Sequence, residues 1–205
     1  MPAMLNVTRE IDEHKVSPFQ VRVLILCGLA VMADGFNTQA IGYVAPAIVR
    51  DLHLARTALS LSPVFASSLI GLTIGALAFG PIADQFGRKK IIVGCTAFFA
   101  VLSLLTAAAH SLESLIVLRF FTGLGLGGVM PNAIALTAEF SPHRSRGTMV
   151  MTMFCGFPIG ATVGGFLSAA IIPAFSWRAV FLLGGMLSLF LVPVLWRILP
   201  ESIRF

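Results

Sequence analysis

Long apolar runs and short polar links alternate along the whole chain. The runs cover approximately 21–44, 60–82, 90–109, 112–138, 149–172 and 178–199. Each is close to the ~20 residues an α-helix needs to cross the hydrocarbon of a bilayer. The links, at 50–59, 83–89, 110–111, 139–148 and 173–177, are short. Short links between long helices make antiparallel neighbours in a bundle. The pattern predicts an all-α membrane protein of six transmembrane helices. A polar tail at 1–20 precedes a helical bundle at 21–199, and a short segment at 200–205 begins a further loop. Small residues mark helix contacts within the runs. Gly156, Gly160 and Gly164 recur every fourth residue, with Gly165 beside Gly164, and Gly71 and Gly75 share the spacing. Glycines so placed let two backbones approach closely. Pro46, Pro131 and Pro158 lie in or near predicted helix ends and are expected to kink them.

Composition supports the bilayer. Apolar residues make up 57% of the 205 residues and charged residues 11%, against roughly 45–50% and ~25% in soluble domains. A chain this small cannot hide so much apolar surface from water, whereas lipid removes the need for a polar exterior. The net charge of +5 does not point to nucleic acid, because the basic residues sit in short clusters between the runs. With the N-terminus placed in the cytoplasm, the inner segments hold ten of them: Arg9, Lys15, Arg22, Arg88, Lys89, Lys90, Arg144, Arg146, Arg197 and Arg204. The outer links hold three, Arg50, Arg56 and Arg178. That bias places both ends in the cytoplasm. Arg9, Glu10, Asp12, Glu13 and Lys15 make the tail a cytoplasmic one rather than a cleaved signal peptide, since the first run is long and interrupted by Asp34. Cys27, Cys95 and Cys155 lie inside apolar runs without a Cys-x-x-Cys and read as small buried hydrophobes. The four histidines have no metal-ligand spacing, so no metal is expected. No catalytic triad or phosphate loop suggests an enzyme, and no filter-like segment suggests a channel.

Two ionisable residues stand deep in the runs. A charge at the bilayer centre costs at least ~2.5–3.5 kcal/mol, so such residues are functional candidates. Asp34 lies 13 residues after Val21, about 20 Å from the inner face at helical rise. Arg119 lies seven residues after Leu112 on an inward-running helix, again about 20 Å from the inner face of a ~30 Å core. An Asp and an Arg at one depth can pair and offset each other's desolvation. A purely structural pair is one reading. A proton or substrate site is the other: protonation of Asp34 frees Arg119 to hold an anion, and a carboxylate suits the planar guanidinium fork. Asn37, one turn from Asp34, and Gln39 add neutral hydrogen-bonding groups.

Family resemblance enters at the second link. Gly80-Pro81-Ile82-Ala83-Asp84-Gln85-Phe86-Gly87-Arg88-Lys89-Lys90 resembles the signature loop of the major facilitator superfamily. Arg119-x-x-x-Gly123-x-Gly125-x-Gly127 resembles its arginine-rooted glycine motif, associated with proton transfer. Pro200-Glu201-Ser202 is similar to the segment that closes the sixth helix in many members. Asp34-Gly35-Phe36-Asn37-Thr38-Gln39-Ala40-Ile41-Gly42-Tyr43-Val44-Ala45-Pro46 in the first run, with 118–132 and 153–157, resembles the aromatic acid:proton symporters, a family that includes bacterial 4-hydroxybenzoate and benzoate transporters.

The resemblance implies the N-terminal six-helix bundle of the major facilitator fold, a 3+3 inverted repeat. The first and fourth runs, both mixing glycine, proline and amides at mid-membrane, are compatible with that repeat. It further implies a multi-pass protein of the bacterial inner (plasma) membrane that takes up small aromatic carboxylates with a proton as coupling ion and no other cofactor. Asp34, Asn37 and Arg119 would form the substrate and proton site. Gly80, Asp84, Gly87, Arg88, Glu139, Arg146 and Glu201 would form a cytoplasmic gate, with Glu139, Arg146 and Glu201 joining Arg88 in an ion-pair network. Two positions depart from the family pattern: Asn37 replaces a second acid of the first run, and Gln85 replaces an arginine of the signature loop. The fold has two six-helix halves with substrate between them, so residues 200–205 would open the central cytoplasmic loop. The expected partners are the lipid bilayer, the substrate and proton, and either a C-terminal half or a second copy of the chain. The alternatives are a non-transporting remnant, a membrane assembly partner, and a half-size transporter active as a homodimer.

Overall fold

The computed structural model describes residues 17–53 and 61–202. Most of the expected tail, the end of the loop at 200–205, and Arg9, Lys15, Arg56 and Arg204 of the charge count lie outside the described residues. The described helices are α1 (Pro18–Asp51), α2 (Ser62–Phe86), α3 (Arg88–Ala107), α4 (Leu112–Glu139), α5 (Arg146–Phe154), α6 (Gly156–Ala174) and α7 (Trp177–Ile198). Together α5 and α6 make one span, Arg146–Ala174, so that 6 segments are long and apolar enough to cross a membrane.

Local chemistry sets several boundaries. The Ser17 hydroxyl accepts from the Gln20 N–H at 3.3 Å, and the Gln20 side chain accepts from the Ser17 N–H at 2.9 Å. This reciprocal cap starts α1. Ser111 and Ser114 start α4 in the same way. The fifth span breaks at Cys155 because Pro158 has no N–H to offer the carbonyl of Phe154, four residues earlier. The helices nonetheless continue through Pro46, Pro81 and Pro131. In consequence α1 extends seven residues beyond its expected end, and α2 reaches Phe86. The expected link at 83–89 shrinks to Gly87 alone, and Gly80 and Asp84 stand on α2 rather than in a loop. Gly87 has φ +99°, a conformation that glycine adopts without steric cost, and a Cβ there would come within 2.7 Å of the Glu201 carboxylate.

Two glycine seams organise the bundle. Gly71 and Gly75 of α2 bring that helix against the backbone carbonyls of Phe120 and Leu124, while Gly123 and Gly127 of α4 meet the carbonyls of Ser68 and Leu72. On the other side Gly156 and Gly160 meet the carbonyls of Gly28 and Met32 of α1, and Gly35 meets that of Phe157. A side chain at any of these positions would collide with backbone. The arrangement is a 3+3 repeat: α2 lies on α4 as α5–α6 lie on α1, and α3 and α7 pack together and on α4 and α1 respectively. The two buried apolar clusters sit towards opposite ends. One gathers Val23–Val31 of α1 with Phe99, Leu126, Met153 and Leu195. The other gathers Phe36–Ile48 of α1 with Leu115, Trp177 and Phe181. Ser17, which precedes α1, and Ser202, which follows α7, lie at one end of the bundle, since Phe19 stacks edge-on against Phe140 and Ser202 bonds Glu139.

Candidate functional site

Between the two apolar clusters runs a belt of buried polar side chains. Asp34 and Asn37 come from α1, Ser103 from α3, Arg119 and Thr122 from α4, and Ser188 from α7. In a low-dielectric interior each such group needs a partner, and the belt supplies nearly all of them. Asn37 is the hub. Its amide NH2 donates to the carbonyl of Ala33 at 2.9 Å and to the Ser188 hydroxyl at 3.1 Å, and its side-chain oxygen accepts from the Ser103 hydroxyl at 2.9 Å. One side chain thereby ties α1 to α3 and α7. The Asn37 backbone carbonyl in turn accepts from Nη1 of Arg119 at 3.3 Å.

Arg119 is fully buried, at 0% exposure. Its guanidinium carbon stands 4.2 Å from the ring centroid of Phe181, a cation–π contact of the kind that gains strength when desolvated. Nε and Nη2 have no hydrogen-bond partner. Asp34, 2% exposed, accepts from the Thr38 hydroxyl at 3.0 Å one turn along α1. The Asp34–Arg119 ion pair that equal depth suggested is not formed. The depths agree, because Arg119 reaches the residue one turn from Asp34, but the guanidinium is directed to a carbonyl and an aromatic face instead. Gln39 lies exposed on α1, away from the belt. Beside the belt a cavity of about 200 Å³ opens between α1, α6 and α7, with apolar walls including Met32, Phe36, Val163 and Leu187, and with Asn37 and Ser188 at its polar edge.

A second cluster lies at the end where Ser17 and Ser202 meet. Arg88, the first residue of α3, places Nη2 3.2 Å from Asp84 Oδ1 and Nε 3.2 Å from Glu139 Oε1. The latter is an ion pair without hydrogen-bond alignment, since Glu139 Oε1 has no donor. Glu139 Oε2 accepts from the Ser202 hydroxyl at 2.6 Å. Glu201 does not join Arg88. Its Oε1 accepts from the backbone N–H of Lys89 at 3.0 Å and of Ser202 at 3.1 Å, so it caps the start of α3, where the helix leaves donors unsatisfied. Arg146 makes no ion pair among the described residues, and its Nε is buried without a partner. Of the expected four-member network, only the Arg88–Glu139 link is an ion pair.

The sequence profile of the Major Facilitator Superfamily matches residues 27–204. The chain belongs to the major facilitator superfamily. It is 45% identical to the 4-hydroxybenzoate transporter of Pseudomonas aeruginosa over 207 residues, covering 100% of this chain and 46% of that protein. It is 44% identical to the gallate transporter of Pseudomonas putida, covering 99% and 45% respectively. In fold it matches the inward-open xylose transporter of E. coli with a TM-score of 0.75 at 20% identity, over 90% of this chain and 49% of that one. The chain thus spans about half the length of the curated relatives it matches, the N-terminal half. These superfamily relatives are transporters and not enzymes.

Residues that the apolar pattern did not single out complete the belt. Ser103, Ser188 and Phe181 look like ordinary helix residues until α3 and α7 bring them to Asn37 and Arg119. The same holds for a group at the far end. There Asp51 Oδ2 accepts from Arg178 Nη1 at 2.8 Å and from Trp177 Nε1 at 3.0 Å. Only the opposite charges of Asp51 and Arg178, both at span ends, hinted at that contact.

Proposed function

We propose that this chain is the N-terminal half of a proton-coupled symporter of the inner membrane, carrying small aromatic carboxylates such as hydroxybenzoates by alternating access. Asp34 carries the proton and Arg119 holds the substrate carboxylate. Asn37 belongs to the same site: its carbonyl orients Arg119, and its amide braces α1 against α3 and α7. The observation that carries this reading is Arg119 itself, a guanidinium buried at mid-bundle with two nitrogens unfilled among the described residues, and with the carboxyl group of Asp34 one turn away from the Asn37 carbonyl it bonds. A planar fork with open donors matches a carboxylate. Similarity to transporters of 4-hydroxybenzoate and gallate supports the aromatic acid.

The end holding Arg88 faces the cytoplasm in this reading, as the distribution of Lys and Arg supports, and both ends of the chain are cytoplasmic. Gly80, Asp84, Gly87, Arg88, Glu139, Arg146 and Glu201 then form the gate. Gly87 gives α2 and α3 their sharp junction and leaves room for Glu201. The buried Nε of Arg146 receives its partner from the second six-helix half when the gate closes.

The test is uptake of radiolabelled 4-hydroxybenzoate by cells expressing this chain together with the C-terminal half of a 4-hydroxybenzoate transporter, with and without an uncoupler. Accumulation that the uncoupler abolishes is expected, and 4-hydroxybenzamide, which lacks the charge, should not accumulate. Asp34→Asn should remove accumulation while leaving the protein in the membrane. Undiminished accumulation by Asp34→Asn would overturn the coupling role.

A further inference from the structure

The far end of the bundle carries a group that transport of an acid does not require. Asp51, the last residue of α1, takes two donors on one oxygen, from Arg178 and from the indole of Trp177. Trp177 is buried, at 2% exposure. The Arg178 guanidinium lies 4.5 Å from its ring centroid and donates from Nη2 to the carbonyl of Ala109 at 3.3 Å, just past the end of α3. At the opposite end Glu139, the last residue of α4, meets Arg88, the first residue of α3, and accepts from Ser202, just past the end of α7.

The repeat relates α1 to α4 and α3 to α7. It therefore sets Asp51, the last residue of α1, against Glu139, the last of α4, and brings Arg178, the second residue of α7, to the same helix end as Arg88, the first of α3, with the segment after α3 against the segment after α7. Each cluster takes its carboxylate from one repeat and its arginine from the other. This matters because the second and third helices of each repeat touch little, α2 with α3 and α6 with α7, and most packing runs between repeats. Between helices in lipid, apolar burial gives no driving force, so packing and polar contacts hold the bundle.

We infer that Asp51, Trp177 and Arg178 form a second inter-repeat clasp, the twin of Arg88–Glu139 at the other face of the membrane. The two clasps pin the repeats together separately at each face. The Asp51–Arg178 pair is the more exposed of the two, and its hold comes from the buried indole and the Ala109 carbonyl as well as from the charges, since an exposed ion pair alone contributes little.

Hydrogen exchange on the 205-residue chain in lipid nanodiscs tests this. Asp51→Asn and Arg178→Gln should each speed exchange of amides 47–52 and 181–184 by about tenfold, the equivalent of one net hydrogen bond, and leave amides 92–95 and 136–140 unchanged. Arg88→Gln should do the reverse. The double variant Asp51→Asn with Arg178→Gln should lose less than the sum of the two single variants, because both remove the shared Asp51–Arg178 pair while each also removes a contact of its own. Unchanged exchange at 47–52, effects that simply add in the double variant, or loosening spread evenly over both ends would each overturn the clasp. If Arg178→Gln fails to assemble, Arg178→Lys keeps the charge near Asp51 but loses the second arm, and should give a smaller effect confined to the same amides. Exchange raised at both ends by Arg178→Lys counts against the proposal.

Discussion

Asp34 and Arg119 announce themselves in the sequence because an ionised group in a bilayer is costly wherever it sits. What the sequence does not disclose is how that cost is met. Asp34 and Arg119 share a depth, yet they meet different partners: Asp34 a hydroxyl on the same helix, Arg119 a carbonyl and an aromatic ring across the bundle, with its Nε and Nη2 left unpartnered among the described residues. Replacing Arg119 by Ala removes the charged donors proposed for the substrate. A hydrogen bond to a charged group contributes roughly 1.5–3 kcal/mol, so apparent affinity for a carboxylate should fall about tenfold to a hundredfold. Uptake kinetics normalised to membrane content would show this as a raised KM, and an unchanged KM would make Arg119 a structural residue. Asn37→Ala should lower stability by about 1–3 kcal/mol through loss of a buried, fully bonded amide, read as a lower melting temperature in detergent. The loss stays at that level because the Ser103 and Ser188 hydroxyls keep the carbonyls of Phe181 and Gly184 as acceptors.

At the scale of the helix, four-residue glycine spacing was readable and its partners were not. Period selects a face but says nothing of what meets that face. The structure pairs Gly156 and Gly160 with α1, Gly71 and Gly75 with the backbone of Phe120 and Leu124 of α4, and Gly123 and Gly127 with that of Ser68 and Leu72 of α2. Gly160→Val would drive a side chain into the Met32 carbonyl. Overpacking of this kind costs about 1–3 kcal/mol or more, and the variant should run as a broadened or aggregated peak in size-exclusion chromatography. Gly94→Ala, which meets nothing within 4 Å, should be indistinguishable from the parent. The helix ends were less legible, because proline signals a break only when nothing else holds the helix. Packing carries α1 through Pro46, while at Pro158 the ladder yields and Cys155 parts α5 from α6.

For the molecule as a whole, the least covered spans are the second and the fifth. Leu77 of α2 is 73% exposed and Phe166 of α6 is 76% exposed. Both helices present continuous apolar surface, which suits either lipid or the proposed second half. Co-expression of a C-terminal half should raise the steady-state amount of this chain in the membrane severalfold if that half covers α2 and α6, as measured by quantitative immunoblot. An equal amount with and without it would mean that lipid alone satisfies those faces.

The sequence by itself determined the number of spans, their antiparallel order, the small-residue faces and the two deep charges, because each follows from hydrophobic length, period or the cost of burying charge. It also carried the family motifs. Tertiary structure decided which residues meet: that Asn37 rather than Asp34 is the hub, that Glu201 caps α3 instead of pairing with Arg88, and that Asp51 closes on Arg178. Those contacts join residues far apart in the chain. Their partners are fixed by the crossing of helices, which local pattern does not encode, and by hydrogen-bond geometry, which a shared depth does not dictate.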